Sequence, residues 1–288
     1  QDNINLPADV YVVRVKELEV ARGQVRPGSV MVMDPAGGRI DLPGEESSEP
    51  AFGLRATWVA PALRDEALVR GLTVVEPATV VTTHLTEIVK DNLAELLTLA
   101  ETQKLLKELD ESYQRLLQDL VPARITVGGI QRVLQRLLAE RVSIRDLAVI
   151  LEGIAEALAY TQSPLQIAEH VRGRLARQIC AAVTGPGGYV PILMLGAAWE
   201  ETLAGALVGS GEDRQLALAP SALQEFVQKV QAAFEEQAVR GELPVLLVSP
   251  QLRPYVRSLV ERFRPATPVL AHGEIHPRVK IRTLATIG

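Results

Sequence analysis

The chain has 288 residues and a formal net charge of −5, and 47% of its residues are hydrophobic but only 4% aromatic. This length allows one large domain or two to four small ones, and the composition predicts cores built from aliphatic side chains. The negative charge argues against a general nucleic-acid binder, which would carry an excess of lysine and arginine.

The first part of the chain is predicted to alternate short strands with turns, because proline and glycine punctuate runs of β-branched residues. Pro61 favours a helix directly after it, since the first turn of a helix tolerates proline. The sequence predicts strands at 9–15, 17–21, 30–33, 54–59 and 72–75, a helix at 62–70, and loops at 34–38 and 43–48. Such short elements are typical of small α/β units rather than of one doubly wound sheet.

From Thr79 to residue 183, apolar residues recur at the spacing of amphipathic helices. Thr126 is predicted to cap one helix, and Ser143, with Asp146 three residues later, is predicted to cap the next. Ser163 opens a further helix that is predicted to continue to residue 183. The faces predicted to be buried comprise Val80, Leu85, Ile88, Leu93 and Leu96, then Ile130, Val133, Leu134, Leu137 and Leu138, then Leu147, Ile150, Leu151, Ile154 and Leu158. Residues 97–183 are therefore predicted to form an all-helical block.

The Gly-Pro-Gly-Gly segment at 185–188 is the strongest predicted boundary in the chain. Strands and helices alternate beyond it, which is typical of a compact α/β domain. The predicted strands are 189–195, 216–218, 244–248, 268–271 and 279–286, and the predicted helices are 197–208, 221–239 and 250–263. Residues 249–288 carry seven lysine and arginine residues against two glutamates. We interpret this net charge of +5 as a solvated surface, with a partner-docking surface as the alternative.

The sequence offers little that is typical of catalysis. It contains no G-x-S-x-G elbow, phosphate-binding loop or dinucleotide fingerprint. His272 and His276 lack the spacing and the cysteine partners of a zinc site, and His84 is predicted to pack or cap within its helix. Cys180 is the single cysteine and has apolar neighbours, which predicts a buried, inert thiol in a reducing compartment. We therefore predict no enzyme activity, no cofactor and no metal.

Two further classes of protein are disfavoured by the residues present. The two capped helices within 126–160 could belong to a helix-turn-helix, but Glu140, Asp146 and Glu152 place negative charge across the unit, which opposes contact with phosphates. No apolar run reaches the length of about 18 residues that a membrane helix requires, and no signal-peptide pattern is present. Protein contact is the remaining class of function.

A predicted protein-contact surface centres on Phe52, one of only four phenylalanines in the chain. Phe52 lies in a turn flanked by proline and glycine, where the backbone rather than a core positions it. Pro35, Val75, Val80 and Thr83 line the same cleft if the β-rich part folds onto the first long helix. The alternative is that Phe52 and Val80 simply fill a small core.

Several motifs, in a fixed order, resemble one known family. The most specific are Glu-Pro-Ala-Phe-Gly-Leu at 49–54 and Thr-Val-Val-Glu-Pro-Ala-Thr-Val-Val-Thr-Thr-His-Leu at 73–85. The others are Asp-Asn-Ile-Asn-Leu at 2–6, Glu-Val-Ala-Arg-Gly at 19–23, Leu-Gln-Arg-Leu-Leu-Ala-Glu at 134–140 with Ile-Arg-Asp at 144–146, and Pro-Val-Leu-Leu at 244–247 with Arg-Pro-Tyr-Val-Arg at 253–257. Together they cover nearly the whole chain, which resembles the cytoplasmic part of the flagellar and type III secretion export-gate (FHIPEP) family.

The resemblance implies an α/β (α+β) fold of four subdomains and a role in flagellar protein export that involves no catalysis. The first subdomain would be split between 1–27 and 77–96, with the second inserted at 28–76. The third would be helical and span 97–176, and the fourth would be an α/β domain at 177–288. The implied chaperone-binding cleft comprises Pro35, Glu49, Phe52, Leu54, Val75, Val80 and Thr83.

The partners that the resemblance implies are proteins, with no nucleic acid among them. They are flagellar export chaperones with their cargo, the export ATPase complex with its soluble regulators, the export-switch membrane protein, and further copies of the chain in a nonameric ring. The chain begins at Gln1 rather than Met, and the resemblance implies a membrane-spanning part upstream, which would place this domain at the cytoplasmic face of the bacterial inner membrane. A virulence-type injectisome gate is the close alternative, and an α/β enzyme with a helical insert is the alternative from another class.

Overall fold

The computed structural model describes residues 6–211 and 214–288, so residues 2–5 of the first family motif lie outside it. Internal contacts divide the chain into a first unit, Gln1–Leu96, and a second unit, Leu97–Gly288. Both units combine helices with strands, and the predicted α/β (α+β) class is confirmed. Within the described residues, none of the helices combines the length and the apolar character needed to cross a bilayer.

The first unit contains a two-stranded hairpin and a four-stranded antiparallel sheet. Strands β1 and β2 form the hairpin through Lys16 and Glu17, both with positive φ, which suits the right-handed twist of the strands. The sheet has the order β4-β5-β3-β6. The elements are β1 (Val10–Val15), β2 (Leu18–Gln24), β3 (Val30–Met33), β4 (Gly44–Ser48), β5 (Arg55–Val59), α1 (Arg64–Val69), β6 (Thr73–Val75), α2 (Pro77–Asp91) and α3 (Leu93–Leu96).

The predicted loop at 43–48 is wrong for most of its length, because residues Gly44–Ser48 form strand β4. This strand pairs with β5 along its whole length, and its side chains are mostly exposed at the sheet edge. Gly44 is needed there, since a Cβ atom on it would lie 2.2 Å from the backbone oxygen of Trp58. Pairing with β5 therefore overrides a local composition that favours a loop.

The four-stranded sheet buries residues on both faces. Val30 and Val32 of β3 pack with Val59 and Ala67 on one side, whereas Met31 packs on the other side with the cluster that contains Ala56, Trp58 and Val80. Alternation along β3 follows from the two-residue period of a strand.

Helix α2 buries two of the three residues predicted for its inner face and exposes the third. Val80 and Ile88 are buried together with His84, whereas Leu85 is 43% exposed, and Leu96 in the following helix α3 is 39% exposed. Positions 80, 84 and 88 are four residues apart and so lie along one side of a helix. The predicted stripe fails at Leu85 because a hydrogen-bonded histidine takes the inward position.

The helical part of the second unit agrees closely with the sequence. Its helices are α4 (Leu99–Lys107), α5 (Glu111–Leu120), α6 (Val127–Ala139), α7 (Leu147–Ala157), α8 (Pro164–Arg174) and α9 (Ala176–Val183). The Thr126 hydroxyl accepts a hydrogen bond from Gly129 N–H at 3.0 Å, which confirms the predicted cap of α6. The cap of α7 is Asp146 rather than Ser143, because the helix begins at Leu147 and the Asp146 carboxylate accepts from Val149 N–H. The predicted helix 163–183 is interrupted at Leu175.

The second unit ends in a parallel sheet of order β11-β10-β7-β12. Trp199 and Phe226 meet edge to face in the core beside this sheet, with ring centroids 5.3 Å apart. The segment 185–188 forms a turn within the second unit, which begins at Leu97. The elements are β7 (Val190–Leu195), α10 (Ala197–Gly205), β8 (Leu207–Val208), β9 (Gln215–Leu216), α11 (Pro220–Val239), β10 (Val245–Val248), α12 (Arg253–Val260), β11 (Val269–Ala271) and β12 (Ile281–Ile287).

A buried cluster of charges joins the helices of the second unit to its sheet. Arg253 is 1% exposed, binds the Glu140 carboxylate through Nη1 and Nη2 at 2.7 and 2.9 Å, and also binds Glu169. Arg172 contacts Glu140 at 3.2 Å and pairs with the buried carboxylate of Glu274. We call these five residues the charge cluster. It connects α6, α8 and α12 to the 3-10 turn that follows β11.

The pKa values of the cluster's carboxyl groups follow from its geometry. Burial raises the pKa of Glu140, but the charges of Arg253, Arg172 and Arg257 outweigh that effect and hold it below its ordinary value. For Glu169, burial outweighs the attraction of Arg253, and the pKa of its carboxyl group is raised.

The interpretation of the basic segment 249–288 as a solvated surface is wrong at two of its arginines. Arg253 and Arg257 are buried.

Candidate functional site

The turn at 49–54 is held by its own hydrogen bonds. Glu49 N–H donates to the Leu54 carbonyl at 2.8 Å, and Gly53 N–H donates to the Glu49 carbonyl at 2.9 Å. The Glu49 carboxylate accepts from the backbone N–H groups of Ala51 and Phe52 at 3.0 and 2.8 Å. Gly53 adopts a φ of 68°, which glycine reaches without steric cost. The backbone conformation of this turn is thus fixed before any partner arrives.

The fixed turn displays apolar side chains to solvent. Phe52 is 61% exposed and Leu54 is 52% exposed, while Glu49 beneath them is only 4% exposed. The alternative that Phe52 fills a small core therefore does not hold. Val80 does fill a small core, since it is 1% exposed and packs with Met31 and Trp58.

The remaining predicted site residues lie in different surroundings within the first unit. Val75 is half-buried against the cluster that contains Val80. Thr83 is half-buried and lines an open groove of about 440 Å³ along α2, together with Thr79, Thr82 and Lys90. Pro35 is exposed on a separate turn, where Asp34 accepts hydrogen bonds from two backbone N–H groups. The structure therefore brings Glu49, Phe52 and Leu54 together and pairs Val75 with Val80.

The half-buried ring of Tyr11 and the buried ring of His84, whose pairing the sequence did not predict, support this region. The Tyr11 hydroxyl lies 2.7 Å from His84 Nδ1, and the two rings meet edge to face with centroids 5.7 Å apart. Burial and the negative charge of Glu49 raise the pKa of Tyr11 to about 12, so its hydroxyl keeps its proton at neutral pH. The packing role predicted for His84 agrees with the structure.

The residues that most resembled a reactive site are occupied by contacts within the protein. His272 Nδ1 lies 3.0 Å from the carbonyl oxygen of Val248, and His276 Nδ1 accepts from Arg278 N–H at 3.3 Å. Cys180 is buried, donates to the Glu274 carbonyl, and has a pKa raised by burial. Across residues 6–211 and 214–288, no three histidine, cysteine, aspartate or glutamate side chains are grouped as metal ligands.

Comparison with known proteins gives a match along almost the whole chain. The model of the FHIPEP family matches residues 1–280. The chain belongs to the FHIPEP family. Its relatives include the flagellar biosynthesis protein FlhA of Caulobacter vibrioides, 56% identical over 286 residues that cover 99% of this chain and 41% of that protein. FlhA of Bacillus subtilis is 35% identical over 287 residues, which cover 100% of this chain and 42% of that protein. This FHIPEP chain thus spans about two fifths of the length of these relatives.

Solved structures of similar fold agree with this membership. The Chlamydia pneumoniae CdsV protein has a TM-score of 0.85 and 24% identity, with 100% of this chain and 83% of that chain covered. The nonameric SctV-C of EPEC, solved by cryo-EM, has a TM-score of 0.78 and 20% identity, with coverage of 97% and 84%. At such identities the likeness shows that the FHIPEP chain shares their fold.

Gly23, within the Glu-Val-Ala-Arg-Gly motif of this FHIPEP chain, makes room for the ring pair of Tyr11 and His84. It lies opposite Tyr11 in the hairpin, and a Cβ atom on it would be 2.4 Å from the Tyr11 ring. Gly23→Ala is therefore expected to displace Tyr11 from His84 and to lower the free energy of unfolding of the first unit by about 1–3 kcal/mol. Urea denaturation measures this loss. In a Tyr11→Ala background the same substitution should cost little, and an equal cost in both backgrounds would contradict the contact.

Proposed function

We propose that this chain is the cytoplasmic domain of a flagellar type III protein export gate, which docks complexes of export chaperones with their cargo. The observation that carries the proposal is the exposed Phe52 on a turn fixed by Glu49. The FlhA name shared by relatives that match the full length of this chain supports it. Docking cargo for export requires recognition rather than bond-making, which agrees with a site built from apolar and backbone groups.

The chemistry of the turn favours a partner that contributes an apolar helix face. Aromatic side chains that insert into a partner's apolar surface supply much of the binding energy at helix-in-groove contacts. The Glu49 hydrogen bonds already order the backbone around Phe52, so binding costs little conformational entropy there. Leu54 and the groove that contains Thr83 add further surface on the same unit.

The assembly and the other partners belong to the same proposal. SctV-C forms a nonamer, and CdsV of Chlamydia pneumoniae has been solved in a complex with CdsO, a structure with a TM-score of 0.84 and 23% identity to this chain. We infer a ring of copies of this chain at the cytoplasmic face of the inner membrane, attached to an upstream membrane-spanning part. It would contact the export ATPase complex with its soluble regulators and the export-switch membrane protein. The division into subdomains 1–27 with 77–96, 28–76, 97–176 and 177–288 is likewise proposed.

Titration of the chain with two kinds of purified chaperone–cargo complex tests the proposal. A flagellar complex should bind saturably in calorimetry, and an injectisome complex should bind at least tenfold more weakly. Equal or tighter binding of the injectisome complex would assign the chain to the virulence-type system. An absence of binding to both complexes would contradict the docking function.

A further inference from the structure

The second unit contains a cavity whose lining includes none of the residues of the turn that carries Phe52. It has a volume of about 240 Å³ and is lined by residues 122–126, the first turns of α6 and α8, and Gln162. For scale, an apolar cavity of about 150 Å³ in another protein accommodates benzene. This one opens to solvent and is large enough for one or two amino-acid side chains.

The walls of the cavity are positively charged. Arg124 and Arg132 both line it, and the described lining contains no aspartate or glutamate. Arg124 Nη2 donates to the carbonyl oxygen of Ala155 at 3.2 Å, which fixes its guanidinium without neutralising it. Arg132 has no ion-pair partner within the part of the chain that the structure describes, whereas other arginines of the same unit, such as Arg174, pair with carboxylates. Two uncompensated cations therefore face one opening in a chain whose net charge is −5.

The rest of the lining is uncharged and mixes aliphatic with polar residues, Thr126 and Gln162 being among the polar ones. Ile125 is half-buried and offers aliphatic surface, whereas Val133 and Ile167 also line the cavity but are almost fully buried. Inorganic phosphate would use the two guanidinium groups but leave this surface uncovered. A peptide segment with a carboxylate beside an aliphatic side chain would use both, because guanidinium groups bind carboxylates through paired hydrogen bonds.

We propose that this cavity binds an acidic peptide segment of a partner protein. One carboxylate lies between Arg124 and Arg132, and a neighbouring aliphatic side chain packs on Ile125. The site shares no residue with the turn that carries Phe52, and it uses charge rather than an aromatic anchor.

Fluorescence polarisation with labelled eight-residue peptides tests the proposal on the whole chain. The probe alternates glutamate and leucine, the comparison peptide alternates lysine and leucine, and inorganic phosphate is added as a competitor. The glutamate peptide should bind, and the lysine peptide should not. Arg132→Glu and Arg124→Glu should each weaken binding by about tenfold or more, since each removes a charged hydrogen bond worth at least about 1.4 kcal/mol.

Arg136→Glu is the matched control, because Arg136 is an exposed arginine of α6 that does not line the cavity. It should change the affinity less than twofold while leaving the same net charge as Arg132→Glu. Equal losses in the two variants would overturn the proposal in favour of nonspecific attraction. Complete competition by millimolar phosphate would overturn it in favour of a small-anion site, and an absence of peptide binding would overturn it outright.

Discussion

Arg253→Met is expected to lower the free energy of unfolding of the second unit by about 3–5 kcal/mol. The substitution keeps much of the side-chain volume but removes the cation that binds Glu140 and Glu169. Both carboxylates are largely buried, and losing their common partner leaves negative charge in a site of low polarity. Urea denaturation measures the loss. The fluorescence of Trp199 follows the unfolding of the second unit once Trp58, the other tryptophan, is replaced by Phe.

Arg240→Met provides the control for the charge cluster. Arg240 pairs with Glu236 one helical turn away, and both side chains are about 60% exposed. Breaking this pair should change stability by less than about 0.5 kcal/mol. Adding Glu169→Leu to Arg253→Met should restore part of the lost stability, because it removes one orphaned carboxylate. A loss below about 1 kcal/mol for Arg253→Met would mean that water reaches the cluster.

Phe52→Ala is expected to weaken binding of a flagellar chaperone–cargo complex by about 2 kcal/mol or more, which is about thirtyfold in affinity. The melting temperature should stay close to that of the unchanged chain, since a side chain that is 61% exposed contributes little to a core. Thr83→Asp places a charge in the groove of α2 and should also weaken binding without affecting the fold. Calorimetric titration and thermal melts measure the two quantities.

Two matched variants separate binding from stability in that experiment. Leu18→Ala removes a side chain that is 70% exposed on the β1–β2 hairpin, and it should leave both binding and melting unchanged. Val80→Ala enlarges a packed site that is 1% exposed, and it should lower stability by roughly 1–3 kcal/mol. Intact binding by both Phe52→Ala and Thr83→Asp would place the docking site elsewhere. A much lower melting temperature for Phe52→Ala would mean that Phe52 packs in the core.

Local signals made the helices and most strands predictable. The buried stripe of α6 and its Thr126 cap follow from residues within a few positions of one another, and the structure confirms them. The turn at 49–54 was recognisable for the same reason, since its proline and glycine flank an isolated aromatic residue. The sequence left open whether Phe52 is exposed or fills a small core, and the structure shows that it is exposed.

Contacts between distant residues made the rest unpredictable. Strand β4 depends on pairing with β5, and the burial of His84 depends on Tyr11, 73 positions away. The same holds for Arg253, whose partner Glu140 lies 113 positions earlier. Arginine is normally exposed. A basic segment is therefore predicted to lie on the surface, unless the acidic residues that pair with it in the fold are known. The division of the predicted cleft residues between surface and core also depends on how β6 and α2 pack.

The charge cluster joins residues that are synthesised far apart in time, which affects how the second unit folds on the ribosome. Arg172 is almost completely buried, and its partner Glu274 is added 102 residues later. While the ribosome adds those residues, Glu140 is the partner already available to Arg172, and Glu274 does not yet exist. Amino-terminal parts of a chain usually fold first during synthesis, but here the charge cluster is complete only after the turn that follows β11 has been added. We therefore expect the helices at 97–183 to reach their final packing late in synthesis.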